Sequence, residues 1–463
     1  MLEPAFAIYF WGFLLLYGTV MYMVSPRSRT VSGFFAGTDD AGRPATEWAL
    51  MCSIFISWIF AKSVTNAANL GAAHGIIGGL AYAAYWLSIP VAGIVIYWLR
   101  TRHGATGLVP FLISKYGRLA ALAFTLAILI RLYNEVWSNT AVVGAYYGQS
   151  GGFSFIAAAL LFTAVTLFYS LKGGLRSSIV TDVIQAVLFV IILGVVLFLV
   201  LPHHGLPKLL SVGEFRLDAG VDLLLVALLQ VLSYPFHDPV LTDRGFITRE
   251  KTMLRAFVVA GGLGFMCIFA FSLIGVHARL EGLSAGDNMP GAVALAFGTL
   301  PYLLMTCVMI MAAGSTLDST FSSVAKSAGQ ELPLLAGRTP GNNAIKIGVW
   351  TMIAFALLGN LPMIAGTDIL KATTVSGTMV MGLAPIFLFA PLVKHSPWSF
   401  HLAFWPGVVL GVMLAAGTIP ASWAIGTGKY ALLLGTNLYG LAICCAGFLL
   451  PAAWQQLRAG AKA

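Results

Sequence analysis

Apolar runs of roughly twenty residues, the length a helix needs to cross a hydrocarbon core, recur from one end of this 463-residue chain to the other. Such a chain has few structural options. The bilayer core offers no water to bond backbone N–H and C=O groups, so a crossing segment must satisfy them internally, as a helix does. Only 9% of the residues are charged, against roughly 25% in an average soluble domain. The runs predict an all-α polytopic membrane protein with thirteen crossings, near 4–24, 46–70, 75–99, 119–147, 152–171, 178–201, 220–242, 256–278, 290–325, 344–361, 369–393, 401–424 and 430–453. No soluble appendage is left over. The first run carries Tyr9, Trp11, Tyr17 and Tyr22 along its length, unlike the short apolar core of a signal peptide, and is expected to remain as an uncleaved helix.

Lys and Arg are retained on the cytoplasmic side of membrane proteins. With the N-terminus outside, the inward loops hold 19 of the 26 basic residues, Arg244 among them, and the outward loops hold four, Lys208, Arg216, Arg279 and Lys429. Lys62, Arg131 and Lys371 fall inside runs or at their ends. The asymmetry predicts a multi-pass protein of the cell inner membrane, N-terminus outside and C-terminus cytoplasmic. It also accounts for the net charge of +9. No basic cluster is interleaved with aromatics as nucleic-acid binding requires, so the expected partners are the lipid bilayer and a small solute. Cys52, Cys267, Cys307, Cys444 and Cys445 lie in apolar runs without metal-ligand spacing and read as small buried residues. No nucleophile elbow, zinc-protease helix or phosphate loop is present. Neither an enzyme nor a cofactor is expected.

An ionised side chain at the bilayer centre costs at least ~2.5 kcal/mol, which makes each one a functional candidate. The second run reads FISWIFAKSVTNAANLGAAHG, with Lys62 in mid-membrane near Asn66. In the fourth, RLYNEVWSNTAVVG, Arg131, Glu135 and Ser138 or Asn139 share one helical face. The sixth opens GGLRSSIVTDVIQ with Asp182, and the seventh holds SYPFHDPVLTDRGF, where Pro235 and Pro239 bracket Phe236, His237 and Asp238. Two prolines four apart break a helix, and broken backbone at membrane depth is tolerated only when buried in protein or lining a wet cavity. Residues 233 to 239 are therefore the clearest pointer to a binding site. The ninth run carries AAGSTLDSTFSSVAKSAGQEL, a dense hydroxyl stretch around Asp318. Hydroxyls, carbonyls and a carboxylate are hard oxygen ligands suited to a small cation such as Na⁺.

These segments resemble the sodium:solute symporter family over essentially the whole chain. GGLRSSIVTDVIQ is similar to its Gly-Gly-Leu segment ending in Thr-Asp-x-Ile-Gln, GSTLDSTFSS to its Ser-Thr-x-Asp-Ser ion-site helix, and SWIFA to its Ser-Trp-Ile-Ser-Ala stretch, with Phe60 in place of the second Ser. The resemblance implies a LeuT fold, in which two inverted five-helix repeats enclose a midplane site. The repeats would span 46–202 and 219–393 of a single transport domain, preceded by an extra helix at 1–25 and followed by two helices at 400–455. Carried over by position, a sodium site would use the carbonyls of Ile56, Ile59 and Ala312 and the hydroxyls of Ser315 and Thr316. A second sodium or proton site would use Asp182, Asp318 and Ser319.

The expected function is sodium-coupled import of a small polar solute, an amino acid, urea or a short carboxylate, by alternating access. Solute contacts are expected among Lys62, Asn66, Glu135, Asn139, Phe236, His237 and Asp238. Lys62 has three readings: a contact to a solute carboxylate, an internal salt bridge to Glu135 or Asp238, or a fixed charge standing in for a sodium ion. The competing functions are a proton-coupled or ion-independent carrier using Lys62, and a non-transporting membrane sensor, against which stands the lack of a kinase or receiver module in this sequence. Oligomeric state is not legible.

Overall fold

A computed structural model describes residues 4–284, 286, 288–364 and 376–460, and among these the chain is helical with no strand. Lys371 and the start of the 369–393 run lie outside the described residues. The long elements are α1 (Pro4–Val24), α2 (Glu47–Ser57), α3 (Ala61–His74), α4 (Ile76–His103), α5 (Arg118–Ala145), α6 (Phe153–Gly173) and α7 (Leu175–Val200). They continue as α8 (Val221–Gln230), α9 (Glu250–Leu280), α10 (Thr299–Lys326), α11 (Ala344–Leu358), α12 (Pro397–Ala415) and α13 (Ala431–Gly460).

Ten helices are long and apolar enough to cross a membrane, or eleven when α2 and α3 count as one bent span. The thirteen expected crossings are thus not all reached by length and apolarity among the described residues. The 220–242 run is divided into short helices. The 290–325 run is not one helix either: a short helix, Met289–Ala296, precedes α10, and Gly298 at φ +110° separates them. Beyond Lys326, α10 continues through a wide turn at Ser327–Glu331 to Leu335.

Two breaks organise the centre. The 46–70 run, read as one continuous crossing, bends by 58° between α2 and α3, although residues 57–61 contain neither Pro nor Gly. Neighbours take up the freed groups instead. Ala61 N–H donates to Asn139 Oδ1 on α5 at 3.2 Å, and Ser57 O accepts from the Thr316 hydroxyl on α10 at 3.2 Å. The second break is the one the prolines predict: α8 gives way to a tight turn at Tyr234–His237, then to Pro239–Thr242 and Asp243–Phe246.

Asp238 ties the breaks together. Its Oδ1 accepts from Val240 N–H at 3.1 Å, capping the segment that Pro239 opens, while Oδ2 accepts from Trp58 Nε1 at 2.9 Å and from Arg131 Nη2 at 3.0 Å. Close packing of α3 on α9 depends on small residues. A side chain at Gly71 would strike the carbonyl of Ser272, and one at Gly275 the carbonyl of Ala68.

Candidate ion and solute site

The first polar cluster lies between α2, α7, α10 and the segment after the second break. Asp182, Asp318 and Arg244 are all wholly buried there. Asp182 Oδ2 accepts from Ser53 Oγ at 2.5 Å and from Arg244 Nη2 at 3.1 Å, and Oδ1 accepts from the Ser315 hydroxyl. Asp318 Oδ1 accepts from Ser178 at 2.7 Å, and its Oδ2 accepts from Thr181 and Tyr169, each at 3.0 Å. Arg244 also donates to Ser53 at 2.8 Å, to Ser319 at 2.8 Å and to Val240 O at 2.5 Å.

Arg244 corrects the loop assignment made for it from charge asymmetry. The chain past Pro239 stays inside the protein, and the guanidinium pairs with the buried Asp182 carboxylate, while Asp318 beside it is held by hydroxyls. Eighteen basic residues remain in the expected inward loops. An arginine does not deprotonate in proteins, so with both carboxylates ionised this cluster carries one uncompensated negative charge. One monovalent cation or one proton would neutralise it.

Thr316 Oγ1 contacts Ala312 O at 3.1 Å and Ser57 O at 3.2 Å, where α10 meets the end of α2. Ile56 and Ile59 flank Ser57 there, with Ile59 N–H donating to Ile56 O at 3.0 Å. Ser315, on the neighbouring face of α10, turns to Asp182. Ser315, Asp182, Arg244, Ser319 and Asp318 therefore form one continuous network joining the two expected ion sites. The first helix reaches it too: Tyr17 Oη lies 3.2 Å from Tyr169 Oη, which in turn donates to Asp318.

The second cluster lies between α3, α5 and the Asp238 turn. Lys62 Nζ donates to Glu135 Oε1 at 2.6 Å and to Ser138 Oγ at 3.1 Å, both partners being buried. Arg131 pairs with Glu135 one turn along α5 and with Asp238 at 3.0 Å. Two positive and two negative groups cancel. Asn139 Nδ2 donates to Glu135 Oε2 at 2.9 Å, and Asn66 Nδ2 to Tyr82 Oη at 3.1 Å. Arg131 Nε and His237 Nε2 are buried without a hydrogen-bond partner, while His237 Nδ1 meets Tyr234 O at 2.5 Å.

Of the expected solute contacts, Lys62, Glu135, Asn139 and Asp238 come together in this network, with Asn66 and His237 at its edges. Phe236 does not join them: its ring packs against Phe387 at 4.6 Å within an apolar cluster. Sequence reasoning missed Ser53, Ser178, Tyr169 and Arg244 around the carboxylates. It also missed Trp58, and Gln230 with Tyr85 and Asn437, which are joined at 2.8 and 3.0 Å. One signal was available, since two buried carboxylates in a run of hydroxyls demand a counter-charge.

No protein-family model matches the chain. It is 23% identical to sodium/glucose cotransporter 1 of Oryctolagus cuniculus over a 481-residue alignment covering 88% of this chain and 70% of that protein. It is 27% identical to sodium/glucose cotransporter 4 of Danio rerio over 211 residues, 44% of this chain and 30% of that protein. A sodium/myo-inositol cotransporter of Bos taurus is 28% identical over 168 residues, 35% of this chain and 22% of that protein. For most of these relatives the matched stretch is under a third of their length. Among solved structures, an outward-open, substrate-bound Na⁺-coupled sialic acid symporter superposes with a TM-score of 0.74, covering 98% of both chains at 14% identity. Mhp1, a nucleobase-cation-symport-1 family transporter in a closed conformation with bromovinylhydantoin, gives 0.57 at 13% identity, covering 93% of this chain and 95% of that one. The fold is that of these LeuT-type symporters.

Proposed function

The chain is a member of the sodium:solute symporter family, and from that premise we propose that it imports a small polar solute together with Na⁺ by alternating access. The observation that carries the reading is the charge balance of the first cluster. Asp182 and Asp318 are both buried, and the one guanidinium in their network, Arg244, pairs directly with Asp182 and reaches Asp318 only through the Ser178 and Ser319 hydroxyls, which leaves a place for one positive charge among hard oxygen atoms. Ile56, Ile59, Ala312, Ser315 and Thr316 supply one part of the ion path. Asp182, Asp318 and Ser319 supply the other, able to take a second sodium ion or a proton.

The solute binds beside the second cluster, against Lys62, Asn66, Glu135, Asn139, His237 and Asp238. Lys62 and Arg131 already hold carboxylate partners, and breaking a buried pair costs ~3–5 kcal/mol. An anionic solute is therefore disfavoured relative to a neutral or zwitterionic one. Arg131 Nε and His237 Nε2 are the buried polar atoms such a solute would satisfy. Sugars and polyols, the solutes in the names of several relatives, join amino acids and urea as candidates.

The breaks at 58–60 and 231–238 stand in the first crossing of each proposed five-helix repeat, 46–202 and 219–393, as inverted repeats with discontinuous helices require. On this reading the regions 220–242 and 369–393 complete thirteen crossings, and the basic asymmetry places the N-terminus outside the inner membrane. Ion and solute assist each other because binding linkage is reciprocal.

The test is thermal stabilisation of the purified protein by sugars, polyols, amino acids and urea, in Na⁺ and in K⁺ at several pH values, followed by uptake in vesicles. A ligand shifts stability by mass action. The expected result is a Na⁺-dependent shift with one solute class that is lost in Ser315→Ala/Thr316→Ala and in Asp318→Asn. A shift that follows pH and ignores Na⁺ would replace sodium with a proton on the Asp182–Asp318 pair. No uptake of any stabilising solute would end the transport reading.

A further inference from the structure

A third polar cluster stands apart from the ion and solute sites, at the opposite end of α7 from Asp182. Beyond Val200 that helix tightens into a turn, Leu201–His203, followed by His204. The C-terminal end of α9 packs beside it, and there His277 and Glu281 lie one turn apart and so on one face. The Nε2 of His204 is 2.8 Å from Glu281 Oε1. The His204 and His277 rings are 5.1 Å apart, and one ligand atom from each of His204, His277 and Glu281 falls within a group no wider than 4.8 Å.

His277 is the informative member. It is only 2% exposed, and its Nδ1 has no hydrogen-bond partner. A buried imidazole nitrogen left unpaired costs free energy, of the order of 1–3 kcal/mol, unless something binds there. Phe297 closes one side, its ring 5.4 Å from that of His277 and 4.8 Å from that of His203. The donors are two imidazoles and one carboxylate, His204 from the turn beyond α7, His277 from α9 and Glu281 from the residue that ends it, and Glu281 is half open to solvent, with 45% of its side chain exposed. That leaves a route by which an ion can enter.

We propose that His204, His277 and Glu281 form a binding site for a divalent transition-metal ion of the zinc type. Imidazole and carboxylate ligands suit such ions, and His₂Glu with an open fourth position is an established zinc ligand set. Metal–ligand distances of about 2.0–2.2 Å need only a modest closing of the present group. The hard-oxygen cluster around Asp182 and Asp318, with no imidazole, takes a different class of ion. A metal here clips the end of α7 to the end of α9 and favours every conformation in which those ends stay together.

The experiment uses the full-length, tag-free protein in detergent, stripped with a chelator and titrated with Zn²⁺, and separately with Co²⁺ as a spectroscopic probe. The expected result is about one Zn²⁺ retained per chain, visible absorption of a low-coordinate Co²⁺ complex, and a metal-dependent rise in melting temperature. His204→Ala and Glu281→Gln alter partly exposed groups at the edge of the fold. Each is expected to weaken Zn²⁺ binding at least about tenfold while melting like the wild type in chelator. Absence of saturable Zn²⁺ binding to the wild type, or wild-type affinity in both variants, would overturn the proposal. Neither outcome touches the sodium reading, whose test uses other residues and another ion.

Discussion

Arg244 makes five polar contacts while wholly buried, with Ser53, Ser178, Asp182, Ser319 and the Val240 carbonyl. Removing such a group leaves its carboxylate partner buried and unpaired, a change that costs ~3–5 kcal/mol. Arg244→Gln is expected to lower the melting temperature sharply. Arg244→Gln/Asp182→Asn should recover a substantial part of the loss, because the second change removes the stranded charge. A double-mutant cycle by thermal denaturation checks this, and strict additivity would show that the two residues do not act as a pair. Asp182 and Asp318 stood out in the sequence because a carboxylate is rare in an apolar run. Arg244 did not, because it follows a helix break, and a basic residue beyond a predicted crossing is ordinarily assigned to a loop.

Helix breaks differ in how much of their cause is local. The Pro235–Pro239 break is written in the chain, since two missing N–H donors cannot sustain a helix. The α2–α3 break has no such cause and is held by neighbours, Asn139 on α5, Thr316 on α10 and Asp238 through Trp58. Trp58→Phe keeps the aromatic packing and deletes only the indole N–H donor to Asp238. The expected cost is ~1–3 kcal/mol, the range for hydrogen bonds to charged groups or for a buried acceptor losing its donor. Amide exchange should rise at residues 58–61, where the bend is made. Unchanged stability and exchange would mean that the bend does not depend on that hydrogen bond.

Across the whole molecule, the proposed orientation rests on the distribution of basic side chains rather than on any single contact. The exposed loop at Ser211 and the exposed loop at Asn342 fall on opposite sides of the proposed arrangement. Ser211→Cys in intact cells should react with a membrane-impermeant maleimide, and Asn342→Cys should react only after permeabilisation. The reverse pattern would invert the topology and move the proposed metal site to the cytoplasmic face. The first helix takes part in the whole through Tyr17, which reaches Asp318 by way of Tyr169. Nothing in the apolar composition of residues 4–24 announced that link.

The amino-acid sequence by itself determined that the chain is helical and membrane-crossing, where its second break falls, which family it resembles, and that Asp182, Asp318, Lys62 and Glu135 lie in apolar surroundings. Those properties follow from run length, proline geometry and the cost of burying charge, all of which act locally. Tertiary structure alone decided the partners: Arg244 for Asp182, the Ser178, Thr181 and Tyr169 hydroxyls for Asp318, Glu135 for Lys62, Asp238 for both breaks, and the meeting of His204 with His277 and Glu281. Ser53 and Arg244 are 191 positions apart, and Ser57 and Thr316 are 259 apart. No periodicity spans such distances, so which charges meet is set by how the helices pack.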